Sequence, residues 1–410
     1  MKSAKVRAHA TLTAATLWSI AAVIALTGSG NRSVFGPLKG ADFVYFYTLG
    51  HLDPQTASHV LYDPEALHNT QVSLVPDSDP EWYLNVYPPH VVLLFRPLAR
   101  FSYGIGLVLW STIVMAAYFA CVWLVSGPLR LQLVDWRVLI AAAAAFPAFW
   151  FLVLQGQATI ILLVSFCLGW GALERGQRFW AGFAFGLIVL KPQFALVLVP
   201  LVLFCREWTM LIGASVSIAV QLAATVSYLG FPVLWDYAAV VARYRAIDGL
   251  LEPRPAEMHS LATLTNQLPG DWGFSIWAAL SIWFIARTIR VWRSRTSVSM
   301  RVACLIMASL LVNPHVFVYD ATLLALPLIW YAAWVWSRPD EDRLRVAFSW
   351  LVYALYLTLL APTARLVPGL QLSVLVMSVL FVMMTRAASA VPQASAPSNL
   401  GSVAVPAVNG

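Results

Sequence analysis

Residues 179–204 read FWAGFAFGLIVLKPQFALVLVPLVLF, an apolar stretch that is interrupted once, by Lys191 and Pro192. Crossing the hydrocarbon core of a bilayer takes about 20 apolar residues. A lysine at such a depth is costly, and the proline frees backbone groups that then need water or protein partners. The stretch therefore predicts a membrane helix, or a helical hairpin, whose break lines a cavity.

The rest of the chain has the composition of a membrane protein. Hydrophobic residues make up 60% of it and charged residues 11%, whereas a soluble domain carries about 25% charged residues. The apolar runs predict an all-α polytopic membrane protein of about 11 or 12 spans. Besides residues 179–204, these runs are 11–27, 103–125, 138–154, 158–173, 209–229, 274–291, 316–336, 346–361 and 369–385.

Positive charge sets the predicted orientation. Basic residues crowd the N-terminus and the loops at 287–301 and 338–345, and such loops face the cytoplasm. Residues 28–87 then form a first external loop, and residues 230–271 form a second one on the same face. The formal charge of +7 thus reflects membrane orientation, and no nucleic-acid partner is expected.

The domain organisation follows from the same pattern. We expect a single integral membrane domain over residues 1–386. Residues 387–410 are rich in Ala, Ser, Pro and Val without a period, which is typical of a disordered segment and predicts a cytoplasmic tail.

Two segments leave the number of spans open. Residues 87–100 form either a short span or a non-spanning element, and residues 179–204 form either one helix or a hairpin broken at Lys191. The second external loop, residues 230–271, emerges outside in two cases. In one, residues 87–100 span the membrane and residues 179–204 form a single helix. In the other, residues 87–100 do not span and residues 179–204 form a hairpin. Arg175 and Arg178 favour the hairpin, since it places them in the cytoplasm.

Three ionisable residues interrupt apolar runs, and each is a candidate functional residue because charge is expensive inside a membrane. Lys191 precedes a proline, His315 follows Pro314 where residues 302–336 must turn back, and Asp320 lies five residues further on. Each also has a plainer interpretation. The lysine could snorkel to the interface, the histidine could be a satisfied core residue, and the aspartate could pair with an arginine or cap a helix.

The strongest candidate lies in the first external loop. Residues 42–47, DFVYFY, predict a short amphipathic helix with Asp42, Tyr45 and Phe46 on one face. Asp42 would lie in the first turn, where the helix dipole favours the carboxylate form that a general base needs. The alternative is that Asp42 serves only as a helix N-cap.

The end of this loop is rich in aromatic and proline residues. Tyr87 and His90 lie where the chain returns to the bilayer. They could hold a sugar or a lipid phosphate, or belong to an interfacial aromatic belt. The nearby Asp77, Asp79 and Glu81 are interpreted as a solvated loop rather than a metal site.

Taken in order, motifs over roughly residues 10–335 resemble glycosyltransferase family 87, the polyprenol-phosphate-mannose-dependent mannosyltransferases of the membrane GT-C fold. The resemblance implies an enzyme that moves a sugar, mannose or a related hexose or pentose, from a polyprenyl-phosphate donor to a hydroxyl of a lipid-linked or glycan acceptor. The family's general base is an aspartate in the first external loop, a position that Asp42 occupies. The matching stretches are residues 40–47 (GADFVYFY), 62–64 (YDP), 87–89 (YPP), 156–157 (GQ), 182–192, 258–261 (MHSL), 313–315 (NPH) and 319–320 (YD).

With this resemblance the other candidates acquire roles. The leaving lipid phosphate needs stabilisation of its negative charge, for which Lys191 and His315 are the candidate cations. A single base without a second carboxylate nucleophile suits displacement with inversion. We also expect the donor phosphate or sugar to contact Tyr45, Tyr87, His90, Gln157 and His259.

The resemblance also implies partners and a location. These are the polyprenyl-phosphate sugar donor, a lipid or glycan acceptor and membrane lipids, with no cofactor and no metal requirement. The enzyme would be a hexosyltransferase of the bacterial inner membrane whose active site faces the periplasm. No soluble domain for a sugar nucleotide is expected.

Two other functions share these features. A transporter or flippase of lipid-linked sugars also has broken helices with a charge at mid-membrane. A polysaccharide ligase or polymerase would place its essential residues in a large late loop, and here residues 230–271 carry Arg243, Arg245, Arg254 and His259.

Overall fold

The computed structural model describes residues 3–54, 57–132, 135–243, 257–338, 341–361, 363–367 and 369–389. Within these ranges the chain is helical, with one isolated β-bridge between Arg32 and Leu38 and no strand. The predicted all-α class is confirmed. Two predictions concern segments outside the described residues: the part of the second external loop at 244–256, with Arg245 and Arg254, and the tail at 390–410.

The N-terminal part consists of one long helix and a folded loop. Its helices are α1 (Ser3–Leu26), α2 (Ala41–His51), α3 (Ala57–Val60), α4 (Pro64–Leu74) and α5 (Val91–Phe95). The Asp63 carboxylate caps α4 by accepting hydrogen bonds from the N–H groups of Glu65 and Ala66, both at 3.0 Å, and a proline opens the helix. With five residues, α5 extends only about 7 Å. Residues 87–100 therefore do not span a membrane.

The central part contains the apolar hairpins of the bundle. Its helices are α6 (Tyr103–Val125), α7 (Gly127–Gln132), α8 (Arg137–Ala144), α9 (Pro147–Gln155), α10 (Ile160–Glu174), α11 (Arg178–Phe185), α12 (Ala195–Phe204) and α13 (Trp208–Leu229). The run at 138–154 is not one straight helix, because α8 and α9 meet at a bend of 51°. Pro147 explains the break, since its ring lacks an N–H and clashes with the preceding turn.

The C-terminal part completes the bundle. Its helices are α14 (Pro232–Ala242), α15 (Leu261–Thr265), α16 (Trp272–Arg293), α17 (Val298–Val312), α18 (Ala325–Trp336), α19 (Asp342–Leu360) and α20 (Leu372–Ser389). The predicted turn near residues 313–315 is confirmed, because α17 ends there and a 3₁₀ turn at Asp320–Leu324 leads into α18. The predicted tail begins too early, since α20 continues to Ser389.

Six of the described helices are long and apolar enough to cross a membrane, and a seventh span results if α8 and α9 count as one. These six are α1, α6, α13, α16, α19 and α20. The protein is therefore a polytopic membrane protein. The prediction of 11 or 12 spans stays a prediction, because it needs crossings by helical segments of only 10–17 residues, such as Ile160–Glu174 and Val298–Val312.

Residues 178–207 form the hairpin alternative rather than one helix. The chain reverses at Lys191, between a 3₁₀ turn at Gly186–Leu190 and another at Pro192–Phe194. Arg178 and Glu207 form an ion pair at the open end of the hairpin, so the two ends lie side by side. Helices α11 and α13 pack so closely that a Cβ atom on Gly182 would lie 1.9 Å from the carbonyl oxygen of Met210.

Helix α2 is enclosed by the rest of the loop and the bundle. Every residue from Phe43 to Gly50 is buried, and α2 packs against α4, α5, α6 and α9. The predicted amphipathic face is therefore wrong for this helix. Other elements cover all sides of α2 between Phe43 and Gly50, whereas Asp42 in its first turn is partly exposed.

Candidate active site

Asp42 lies in the first turn of α2 and is held by a side-chain amide. The N-cap of α2 is Gly40, at φ 69°, with no side-chain capping bond, so the N-cap interpretation of Asp42 is wrong. Its carboxylate oxygen Oδ2 accepts a hydrogen bond from Nε2 of Gln157 at 2.8 Å. This geometry leaves the carboxylate in the favourable field of the helix N-terminus.

Gly156 places Gln157 next to Asp42. Helix α9 ends at this glycine, which has φ 71° and lies so close to α2 that a Cβ atom would be 2.5 Å from Cβ of Phe43. A side chain at 156 is therefore excluded by both strain and space. The Gly156-Gln157 motif thus has a physical reason. The glycine lets the end of α9 approach α2 closely enough for the Gln157 amide to reach Asp42.

Tyr87 connects this aspartate with the buried charges of the bundle. Its hydroxyl donates to Oε1 of Gln157 at 3.4 Å. Burial raises the pKa of the Tyr87 hydroxyl, Lys191 opposes that rise, and Asp320 and Asp42 add to it. All three charges thus act on one phenol. Tyr87 stays protonated and remains a hydrogen-bond donor.

Lys191 and Asp320 form a buried ion pair beside this tyrosine. Nζ of Lys191 donates to Oδ1 of Asp320 at 2.6 Å and to Oγ1 of Thr159 at 3.0 Å. The Thr159 hydroxyl in turn donates to the same Asp320 oxygen at 2.6 Å. The ammonium also lies 4.9 Å from the ring centre of Tyr319. These contacts satisfy both charges inside an apolar bundle.

Two plainer interpretations do not fit this geometry. Lys191 is 4% exposed, so it does not snorkel to an interface. Asp320 pairs with that lysine rather than with an arginine. Its second oxygen, Oδ2, accepts a hydrogen bond from the N–H of Phe317 at 3.1 Å, which closes the turn before α18.

A cavity of ≈ 240 Å³ opens beside the lysine. Its polar lining comes from Tyr87, Lys191, Gln193, Tyr237 and His315, and its apolar wall comes from α14 and the residues that flank Lys191. The cavity therefore joins the hairpin turn, the end of the first loop and the break between α17 and α18. A small anionic group attached to an apolar chain fits such a lining.

His315 belongs to this cavity, whereas His90 and His259 do not line it. The break at Pro314 turns His315 toward the lysine, and its N–H donates to Oδ1 of Asn313 at 2.9 Å. His90 is buried at the start of α5. Burial lowers the pKa of His90 to about 4, so the ring is neutral at pH 7.

Neither His259 nor Tyr45 lines the cavity. His259 is fully buried, with Nδ1 2.7 Å from Oγ of Ser373 and its N–H donating to the carbonyl of Val316 at 2.7 Å. It thereby ties the broken segment to α20. Burial lowers the pKa of His259 to about 4, although Asp320 opposes the fall.

Tyr45 supports Tyr87 through an asparagine. Its hydroxyl donates to Oδ1 of Asn85, and the same oxygen accepts from the N–H of Tyr87 at 2.9 Å. The hydroxyl of Tyr62 donates to the carbonyl of Tyr87 at 3.0 Å. The aromatic residues of the loop therefore fix Tyr87 in place.

Sequence reasoning missed several of these participants. Thr159, Gln193 and Tyr237 are ordinary residues in apolar surroundings. For Gln193 a signal existed, because it follows the Lys191-Pro192 break by one residue. Thr159 contacts Lys191, which lies 32 residues later in the chain, and Asp320, which lies 161 residues later. No local sequence pattern indicates these contacts.

Together these features define a class: a polytopic membrane protein in which a carboxylate and a buried ammonium act on one tyrosine beside a mostly apolar cavity. The model of glycosyltransferase family 87 matches residues 85–314, more than half of the chain. The chain belongs to glycosyltransferase family 87, and the protein is a membrane glycosyltransferase. The matched region includes Tyr87, Gln157 and Lys191, while Asp42 and Asp320 lie outside it. Searches of curated proteins and of solved structures gave no match.

Proposed function

We propose that this glycosyltransferase moves a sugar, mannose or a related hexose or pentose, from a polyprenyl-phosphate donor to a hydroxyl of a lipid-linked or glycan acceptor. The transfer takes place on the periplasmic face of the bacterial inner membrane. One observation carries the proposal: Tyr87 both contacts the amide that holds Asp42 and lines the cavity of Lys191. Tyr87 therefore links the proposed proton acceptor to the wall of the cavity that Lys191 lines.

In this reaction Asp42 is the general base. The acceptor hydroxyl gives its proton to Asp42 as its oxygen attacks the anomeric carbon of the donor sugar. The new carbon–oxygen bond forms while the bond from that carbon to the phosphate oxygen breaks. The polyprenyl phosphate leaves with the electron pair. Gln157 orients the carboxylate through its 2.8 Å hydrogen bond.

Lys191 and His315 face the leaving phosphate from the cavity wall. An ammonium has three donors, and Asp320 and Thr159 accept two of them in the described part of the chain. We assign the third donor to a phosphate oxygen. Asp320 is then a positioning residue, since it fixes the ammonium and balances its charge while no phosphate is bound.

The two aspartates have environments that suit different roles. A retaining reaction needs a second carboxylate about 5 Å from the first, open to the sugar. Asp320 is fully buried and accepts three hydrogen bonds, so its oxygens are turned away from a substrate. We therefore propose inversion at the anomeric carbon. We also propose that no metal takes part, and transfer in excess EDTA tests this.

The test is sugar transfer by the purified protein in nanodiscs, from polyprenyl-phosphate mannose to a lipid extract of acceptors. Asp42→Asn should lower the rate by about 100-fold or more, because it removes the general base without changing the shape of the side chain. The matched control is Asp53→Asn, an exposed aspartate of the same loop. This variant should transfer at the wild-type rate.

Two results would overturn the proposal. Full transfer by Asp42→Asn would exclude the proposed base. No transfer from any polyprenyl-phosphate sugar, together with flux of lipid-linked sugars across vesicles, would favour the transporter instead. A product whose anomeric configuration matches the donor's would contradict inversion.

A further inference from the structure

A second aromatic site lies on the external loop, away from the cavity. The indole ring of Trp82 is 60% exposed. It stacks on the imidazole of His68, with ring centres 3.7 Å apart and an angle of 13° between the planes. His68 is itself 8% exposed. One face of the indole is thus covered, and the other is presented to the outside.

Three side chains hold the segment that carries Trp82 through polar contacts. Nε2 of Gln71 donates to the carbonyl oxygens of Ser78 and Glu81, at 3.2 and 2.9 Å. Arg32 pairs with the Glu81 carboxylate at 2.9 Å. The Asp77 carboxylate accepts from the N–H of Asn31 at 2.8 Å. The solvated-loop interpretation is therefore wrong for two of the three acidic residues, because they hold the loop together.

The segment that carries Trp82 also contacts the helix turn of the proposed base. Tyr83 follows Trp82 in the chain, and its hydroxyl donates to the carbonyl of Ala41, the residue before Asp42. The rings of Tyr83 and Tyr45 are 5.4 Å apart. The backbone that carries Trp82 is therefore tied, through the next residue, to the first turn of α2, which carries Asp42.

The charges around Trp82 indicate what it binds. Asp79 is 73% exposed, with its carboxylate 3.7 Å from Nε2 of His68. Carboxylates accept hydrogen bonds from hydroxyl groups and repel phosphates and uronic acids. A sugar ring presents a face of C–H groups that packs on an aromatic face. Such a rim favours a neutral saccharide.

The same charges argue against a membrane contact for Trp82. Exposed tryptophans often lie at the bilayer interface, and Trp235 on α14 has such surroundings, with the exposed Phe231 beside it at 6.1 Å between ring centres. Trp82 instead has acidic neighbours. Anionic lipid surfaces repel carboxylates and attract basic segments.

We propose that Trp82, backed by His68 and flanked by Asp79, is a binding platform for a neutral saccharide of the acceptor. This inference rests on the proposed function, because only that reaction defines an acceptor, and the segment that carries Trp82 is tied to the turn of the proposed base. The inference predicts that the acceptor contains sugar residues in addition to the one whose hydroxyl reacts. The platform is already ordered, so binding needs little rearrangement.

The first test measures binding without any donor. Saturation-transfer NMR of the protein in nanodiscs is recorded with mannotriose, maltotriose and trigalacturonic acid. The wild type should bind a neutral trisaccharide and not the anionic one. Trp82→Ala should weaken binding by about tenfold, in line with the worth of an aromatic contact, and Trp82→Phe should retain part of it. The matched control is Trp350→Ala, which removes an indole that is 66% exposed on α19.

The second test measures transfer. Trp82→Ala should raise the KM for a glycan acceptor by about tenfold and leave kcat and the KM for the donor unchanged. Trp82→Ala also removes the ring that stacks on His68, so its unfolding temperature is measured alongside. Trp82→Phe keeps a ring on His68 and should unfold at the wild-type temperature, which separates binding from folding.

Several outcomes would overturn the inference. Absence of saccharide binding by the wild type, equal binding by Trp82→Ala, or an unchanged acceptor KM would each do so. These results differ from failure of the proposed function. Binding that depends on Trp82 without any transfer would overturn the proposed reaction and support the saccharide platform. Transfer with an unaffected acceptor KM would support the reaction and overturn the platform.

Discussion

The two ends of the hairpin at residues 178–207 each carry an ion pair, and the two pairs differ in burial and surroundings. At the turn, Lys191 and Asp320 have side chains that are 5% and 1% exposed. At the open end, Arg178 is 56% exposed and Glu207 is 10% exposed. Glu207 also accepts a hydrogen bond from Nε1 of Trp292 at 3.0 Å, which fixes its position against α16.

The difference in burial distinguishes an ion pair that serves structure from one that we propose serves function. At the open end Arg178 has access to water, so it loses little if Glu207 is removed. The pair at the turn is shielded from bulk water, and a well-packed apolar pair would serve stability equally well. We therefore propose that the bundle keeps a buried lysine beside the cavity for what the cavity binds.

The largest expected effect is on stability at the turn. Asp320→Asn leaves the Lys191 ammonium buried without its counter-charge, and such changes cost about 3–5 kcal/mol. Thermal unfolding in detergent micelles should show this loss as a clearly lower Tm. A Tm unchanged from the wild type would mean that water reaches the lysine, and the contrast between the two ends would disappear.

A double substitution distinguishes a structural from a functional pair. Lys191→Met combined with Asp320→Asn removes both charges at similar volume, so stability should return to roughly the wild-type value. Sugar transfer should nevertheless remain at least about 100-fold below wild type, since the leaving phosphate loses its cation. Both properties are measured on the same preparations.

The corresponding pair at the open end is the control for this experiment. Arg178→Met combined with Glu207→Gln should keep both the Tm and the transfer rate. Recovery of transfer by the double variant at the turn would show that Lys191 serves structure alone. It would also remove the lysine from the proposed mechanism while leaving Asp42 in it.

The next effect links the turn to the first loop. Gln157→Leu removes the hydrogen bond to the Asp42 carboxylate, and bonds to charged groups contribute about 1.5–3 kcal/mol. We expect transfer to fall by at least about tenfold, mostly in kcat, because the base loses its orientation. Gln221→Leu removes an amide that bonds only with Ser217 and Gly186 in the described residues, and it should leave kcat unchanged.

Sequence reasoning found the fold because apolar length and proline position are local signals. The hairpin at Lys191, the break at Pro314 and the helix that begins beside Asp42 all follow from residues next to one another. The bend at Pro147 was missed, since its apolar flanks hide the proline in a hydropathy pattern. The prediction of an amphipathic helix at residues 42–47 was wrong, because the enclosure of α2 depends on four other helices.

The candidate site was only partly predictable for the same reason. Lys191 and His315 were conspicuous as charges or potential charges in apolar runs. Nothing near Asp320 indicates that its partner lies 129 positions earlier, and nothing in Thr159 distinguishes it from other helix-end threonines. Contacts between distant segments set these roles, and one sequence contains no direct record of them.

The smallest expected effect completes the comparison. Glu207→Gln keeps an acceptor for the indole N–H of Trp292 and returns Arg178, already 56% exposed, to water. Its cost should stay within about 1 kcal/mol, the usual value for a pair with access to solvent. Thermal unfolding of this variant beside Asp320→Asn gives the contrast directly, because both substitutions turn one carboxylate into its amide. If the two variants lose equal stability, burial does not set the value of these pairs, and the ion pair at the turn requires no functional explanation.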